Sequence, residues 1–187
     1  GLGRLDEAVA WTVLAATMTD DPMARGQVLG AFIEFGDTDK IAEFGAQFPA
    51  DHPMYRMGDA YLRFTDNDYS GAIASLEDLE LSTEIEAGFA YPLMSMSALM
   101  TGDYDKAEEY LLAANPLITS DTAAGVDRKN FRSAILLAYT YQQTGDSRRA
   151  ERLLAEAERV IGNDRAAAMV ACPYRKPWTL PYARRSG

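Results

Sequence analysis

The sequence has little of what metal and covalent chemistry need, since its 187 residues include one cysteine and one histidine. Cys172 alone can form neither a disulfide within the chain nor a cysteine-based zinc cluster. His52 stands among prolines and polar residues, and no second histidine exists to complete a metal site or a Ser/His/Asp arrangement. We therefore expect His52 to lie in a surface loop, and we predict a protein that is not an enzyme and uses no cofactor or metal.

Long apolar runs are also absent. No stretch of 18 or more apolar residues occurs, so we expect no segment that spans a membrane. No convincing strand pattern is present, and no glycine-rich phosphate loop follows one. The sequence starts at Gly1 rather than at a methionine, which suggests a fragment or a processed form. The compartment stays open: the cytoplasm is slightly favoured, and the periplasm is the alternative.

Charge is distributed unevenly along the chain. Residues 1–112 contain 6 Lys/Arg against 21 Asp/Glu, a balance of −15, whereas residues 113–187 contain 12 against 7, a balance of +5. An acidic surface repels phosphate backbones, so we expect no general nucleic-acid binding by the first part. The simplest explanation is that the acidic residues cover the solvated faces of helices and that the arginines keep the C-terminal part soluble.

Turn signals recur at related places in the sequence. A Gly-Asp pair interrupts a helical apolar pattern at residues 36–37, 102–103 and 145–146, and residues 65–68 do the same in a longer form. Gly supplies the left-handed residue that ends one helix, and Asp can cap the next. After each turn, three mostly small or aliphatic residues follow at steps of four and then three, which places them on one helix face. These triads are Ile41, Gly45, Phe48; Ala72, Leu76, Leu79; Ala107, Leu111, Ala114; and Ala150, Leu154, Ala157.

The helix before each turn contains a pair of residues three apart. Such pairs place a small residue beside an aromatic or second small residue, where two helices can approach closely. We interpret them as packing positions that need no ligand. The four pairs are Leu29/Phe32, Gly58/Tyr61, Ser95/Ala98 and Ala138/Tyr141.

These patterns resemble tetratricopeptide repeats. The likeness rests on Gly58-Asp59-Ala60-Tyr61, on the segment from Gly102 to Ala107, and on Ala138 to Tyr141 followed by Gly145-Asp146. It covers roughly residues 24–161. The steps between units are 31, 35 and 43 residues, counted from Ile41 through Ala72 and Ala107 to Ala150. The long last step contains a loop at residues 119–129, which we expect to break the regular stack.

The resemblance implies an all-α fold, an α-α superhelix of about four antiparallel helical hairpins. We predict a further helix over residues 5–18 that caps the first hairpin through Leu5, Val9, Thr12, Val13 and Ala16, because the end of a stack exposes an apolar face. The repeat domain is predicted over residues 1–171. We predict that residues 172–187 form a tail, because their prolines disfavour a helix, and a path across the helices through Tyr174, Trp178 and Tyr182 is one option for it.

The resemblance also implies a site. In the tetratricopeptide family the first helix of each hairpin forms the concave wall, and this wall binds a protein or peptide segment. Members that bind carboxylate tails use Lys, Asn and Arg there, and this chain has too few of these residues. An extended peptide or a helix with apolar anchors suits it better. The wall residues that follow from the aligned turns are Tyr55, Asp59, Leu62, Arg63, Met96, Leu99, Met100, Arg132, Ile135, Tyr139, Gln142 and Gln143.

Two alternative functions stay open. The array can be the sensory or regulatory portion of a longer bacterial signalling or transcription protein. It can also be a self-association module, because edge helices of an open array can pack on a second copy.

Overall fold

A computed structural model describes residues 10, 11, 14, 18, 22–81, 84–119 and 125–162. These residues contain eight α-helices and no strand, which confirms the all-α prediction. The predicted tail at 172–187 lies outside the described residues, and so does most of the predicted capping helix at 5–18. Consecutive helices pair as hairpins: α1 Pro22–Phe35 with α2 Thr38–Gly45, α3 Pro53–Thr65 with α4 Tyr69–Glu77, α5 Glu84–Thr101 with α6 Tyr104–Ala114, and α7 Phe131–Thr144 with α8 Ser147–Gly162.

The structure confirms the turns predicted within the hairpins and the roles predicted for glycine and aspartate in them. Gly36, Gly102 and Gly145 have φ angles of 66°, 78° and 88°, in the left-handed region that glycine adopts without a steric penalty. The aspartate after each of them accepts a hydrogen bond from a backbone N–H of the next helix. The second hairpin achieves the same with Asn67 at φ 65° and with Asp68, whose Oδ1 accepts from the Gly71 N–H at 2.9 Å.

Most of the packing positions predicted from the sequence are buried, whereas Phe48, Leu79, Ala114 and Leu154 in the triads are half-buried. The first residue of every triad after a turn is completely inaccessible to solvent, so the second helix of each hairpin contacts its neighbours at that point. The pair in the partner helix is buried as well, from Leu29 and Phe32 in α1 to Ala138 and Tyr141 in α7. Gly58 lies directly against α2, because a Cβ atom there would be in van der Waals contact with the Ile41 side chain at 3.5 Å.

The array has two hydrophobic cores. The first combines hairpins one to three, and in it α1, α3 and α5 contact one another. The second surrounds α7 and α8 and receives Leu111 from α6. Ile118 and Val126, on either side of the undescribed residues 120–124, are both buried in this second core. The long last step of the repeat therefore coincides with the boundary between the cores, as the sequence predicted, and α7 meets the third hairpin through α6.

Replacing glycine by alanine tests the turn mechanism, because the same change has opposite expected effects at two positions. Gly145→Ala forces a side chain into the left-handed region and lowers the free energy of unfolding by about 1–2 kcal/mol. Gly30→Ala lies within α1 with open space around the new Cβ, and raises that free energy by about 0.5–1 kcal/mol. Urea unfolding followed by circular dichroism measures both. Equal effects of the two substitutions would contradict the proposed role of Gly145.

Candidate functional site

The two charged residues predicted for the wall of the second hairpin, Asp59 and Arg63, form hydrogen bonds within that hairpin. The Arg63 Nε donates to the Asp59 Oδ2 at 2.7 Å, and its Nη1 donates to the Asp68 Oδ2 at 3.0 Å. The Ser75 Oγ donates to the same Asp59 oxygen at 2.7 Å, which ties α3 to α4. The two carboxylates raise the pKa of Arg63 through these hydrogen bonds, that to Asp59 first. Asp59 and Arg63 thus have internal partners.

The apolar residues predicted for the wall divide between core and surface. Leu62, Met96 and Leu99 are half-buried and pack against the first core. Tyr55 is half-buried as well, whereas Met100, at the end of α5, is 46% exposed. Of the residues predicted on α3 and α5, Met100 therefore presents the most apolar surface to solvent.

One face of α7 is largely open to solvent, with a half-buried tyrosine at its middle. The residues on this face are Arg132, Ile135, Tyr139, Gln142 and Gln143. They follow one another at steps of three, four, three and one, which places them on one side of a helix. Ile135 is 38% exposed, Tyr139 is half-buried, and Arg132, Gln142 and Gln143 are exposed. The opposite side, with Leu137 and Tyr141, is buried in the second core. We call this open side the α7 face, and it consists of Arg132, Ile135, Tyr139, Gln142 and Gln143.

An aromatic pair joins the α7 face to the third hairpin. The rings of Tyr139 and Tyr104, the first residue of α6, meet edge to face with their centroids 6.5 Å apart. Burial raises the pKa of Tyr139, and the neighbouring Tyr104 raises it further. Sequence reasoning missed Tyr104. The available signal was its place directly after the Gly-Asp turn, where a side chain lies close to the end of the next hairpin's first helix.

A carboxylate clamp positions α7 against α6. The Glu108 Oε1 accepts hydrogen bonds from the Tyr141 hydroxyl at 3.0 Å and from the Arg149 Nη1 at 3.5 Å. The Arg149 guanidinium also lies 4.6 Å from the centre of the Tyr141 ring, a cation–π distance. Burial, followed by the bond with Glu108, raises the pKa of Tyr141, while Arg149 opposes that rise.

A similar clamp joins the second and third hairpins. The Glu77 Oε1, at the end of α4, accepts from the Lys106 Nζ at 2.7 Å and from the Tyr110 hydroxyl at 3.4 Å. Lys106 thereby lowers the pKa of Glu77. In both clamps the tyrosine follows its glutamate by 33 residues. Sequence reasoning missed both, although a Glu/Tyr pair about one repeat apart was a usable signal.

His52 has a structural role at the start of α3. Its Nδ1 accepts a hydrogen bond from the Met54 N–H at 3.1 Å and so caps the helix. Its ring stacks on Phe48 at a centroid distance of 4.7 Å. In the described ranges of the chain, no group of three or more His, Cys, Asp or Glu side chains is arranged to bind a metal ion. Among those same residues, no helix combines the length and apolar character that crossing a membrane requires.

Comparison with known families agrees with this architecture. The family model described as Tetratricopeptide repeat matches residues 132–156, which form most of α7 and the first part of α8. No curated protein and no solved structure matches the chain. The stacked helical hairpins and the family match together support a tetratricopeptide-like repeat protein, in agreement with the resemblance seen in the sequence. Repeats of this family generally mediate protein–protein interaction.

Removing the Tyr141 hydroxyl tests the clamp beneath the α7 face. Tyr141→Phe keeps the ring in the second core but deletes a hydrogen bond to a carboxylate, so we expect the free energy of unfolding to fall by about 1.5 kcal/mol. Tyr55→Phe removes a hydroxyl from a half-buried tyrosine of α3 and serves as the control, with little expected change. Equal urea midpoints for Tyr141→Phe and the parent protein would show that the hydrogen bond between Tyr141 and Glu108 does not contribute to stability.

Proposed function

We propose that this protein is a non-enzymatic interaction module that binds a segment of another protein on the α7 face. The observation that supports the proposal is the contrast between the hairpins. The first helices of hairpins one to three contact one another in a shared core, whereas the first helix of hairpin four exposes one side. A tetratricopeptide-like array offers such a helix side to its ligands, and here α7 is the helix that offers it.

The side chains of the α7 face suit an extended peptide. Ile135 and Tyr139 provide apolar area for one or two anchor side chains. The amides of Gln142 and Gln143 each combine donors with an acceptor, so they can pair with the N–H and C=O groups of a peptide backbone. The proposed surface leaves out Asp59 and Arg63, because their side chains form hydrogen bonds within the second hairpin.

A photo-crosslinking amino acid tests the proposed surface directly. Placed at Ile135, which is already partly exposed, it should form covalent adducts with a discrete partner in cells of the source organism. Placed at Ala155, on the exposed side of α8, it should not form those adducts. Denaturing electrophoresis and mass spectrometry identify the products. Identical adducts from both positions, or none from Ile135, would argue against a binding function of the α7 face.

Self-association is a second candidate, supported by a different observation. Trp11, Leu14 and Met18 are 69%, 48% and 79% exposed, and their spacing of three and four residues is that of one helix face. Large apolar side chains exposed together are typical of interaction surfaces. A second copy of the chain can cover this end of an open array.

Light scattering across a dilution series tests self-association. We expect the mean mass to rise above that of one chain with increasing concentration, and a Trp11→Ser, Met18→Ser variant to abolish the rise. The matched control is Leu117→Ser, which removes an apolar side chain that is 62% exposed in a different part of the array. A constant mass of one chain at high concentration would eliminate this candidate.

A further inference from the structure

An ionic contact recurs where one hairpin meets the next. Between hairpins two and three, the Lys106 Nζ lies 2.7 Å from the Glu77 Oε1. Between hairpins three and four, the Arg149 Nη1 lies 3.5 Å from the Glu108 Oε1. Both basic residues follow the turn aspartate of their own hairpin by three positions, where hairpin two has Gly71 instead. A basic residue at this position therefore binds a carboxylate of the preceding hairpin.

Hairpin one contains the basic half of this contact. Lys40 follows its turn aspartate, Asp37, by three positions, and its side chain is 50% exposed, compared with 52% for Arg149. The Lys40 Nζ lies 5.9 Å from the centre of the Phe32 ring, four residues before the turn glycine. Arg149 lies in the same way over Tyr141. Lys40 pairs with Asp37 at 2.9 Å, as Arg149 pairs with the turn aspartate of hairpin four. The surroundings of Lys40 thus reproduce those of Arg149.

Hairpin four contains the acidic half. Glu151 follows its turn aspartate by five positions, as Glu108 does in hairpin three. Glu151 is exposed, and its side chain forms no hydrogen bond or ion pair with the residues that the structure describes. Three residues later, Leu154 corresponds to Leu111, which is 1% exposed in the second core, whereas Leu154 is half-buried. α8 therefore repeats the glutamate and the leucine through which α6 meets hairpin four.

The net charges of the two end hairpins are opposite. Residues 22–45 contain 2 Lys/Arg and 4 Asp/Glu, a balance of −2. Residues 131–162 contain 5 Lys/Arg and 4 Asp/Glu, a balance of +1. Contact between two copies of hairpin one would bring like charges together, whereas contact between hairpin one and hairpin four brings opposite charges together. The charges therefore favour a contact between different ends of two copies.

The exposed charges on the second helices show the same relation in detail. At the second and sixth positions after the turn aspartate, α2 has Asp39 and Glu43, whereas α8 has Arg148 and Arg152. α6 also has acidic residues at both positions, and it contacts α8 through the Glu108 clamp. An acidic second helix thus already lies beside α8 within the chain, and α2 of another copy offers the same pattern of charge.

We propose that copies of this chain join head to tail, with Glu151 of one copy bound to Lys40 of the next and Leu154 covered by α1 of that copy. The inference rests on self-association, the second candidate of the proposed function, and adds the two surfaces that meet. Because these surfaces differ, each copy keeps one end for a further copy, and association continues beyond two chains. The contact does not use the α7 face.

Charge reversal tests the contact in the full chain. Glu151→Lys and Lys40→Glu each place like charges opposite one another, so each variant alone should associate about tenfold more weakly than the parent protein. In an equimolar mixture of the two variants, the positive charge introduced at position 151 meets the negative charge introduced at position 40. The mixture should therefore recover the mean mass of the parent protein. Light scattering across a dilution series at low ionic strength measures all four samples.

The matched control is Glu80→Lys, which makes the same change at an exposed position between hairpins two and three and should leave association unaltered. Lys40→Ala removes the charge without adding another and should also weaken association. Circular dichroism checks that each variant keeps its helices.

Four outcomes would overturn the inference. A parent protein that stays at the mass of one chain would eliminate self-association as well. A parent mass that stops at two chains, single variants that associate like the parent protein, or variants that do not recover on mixing would refute the head-to-tail contact alone. In those three cases self-association by another surface stands. The crosslinking result at Ile135 is independent of all four.

Discussion

Close contact between helices at a completely buried small residue is the constraint on which the rest of this structure depends. Ala72, Ala107 and Ala150 occupy equivalent places after their turns, and each is fully inaccessible to solvent. A larger side chain there would separate the helices and open cavities or strain the core. The turn geometry, the aspartate caps and the carboxylate clamps all act to keep the helices at that separation.

The same constraint explains why one surface is left open. Hairpins one to three follow at short steps, so α1, α3 and α5 come close enough to share one core. The longer connection before α7 brings Ile118 and Val126 into a second core and directs α7 toward α6. The candidate surface is therefore a product of the irregular step in the repeat, where the stacking of the first three hairpins is not continued.

Much of the fold could be predicted from the sequence, because its signals are local. Glycine in a left-handed turn, aspartate at the next helix start and triads at helical spacing each depend on residues close in the chain. The site was less predictable. The sequence spacing places Asp59 on α3, but its hydrogen bond with Ser75 depends on how α3 packs against α4. The Glu108 clamp combines α6, α7 and α8, so it becomes apparent only after packing. The capping helix, the tail and the larger protein considered from the sequence stay predictions.

The position of α6 has a consequence for how the chain folds. Its Ala107 and Tyr110 belong to the first core, whereas Leu111, the next residue, belongs to the second. In a repeat array, structure forms locally and spreads between neighbours, so a shared element determines whether two regions fold together. α6 therefore couples the cooperativity of the two cores: neither core can complete its packing until this one helix has formed.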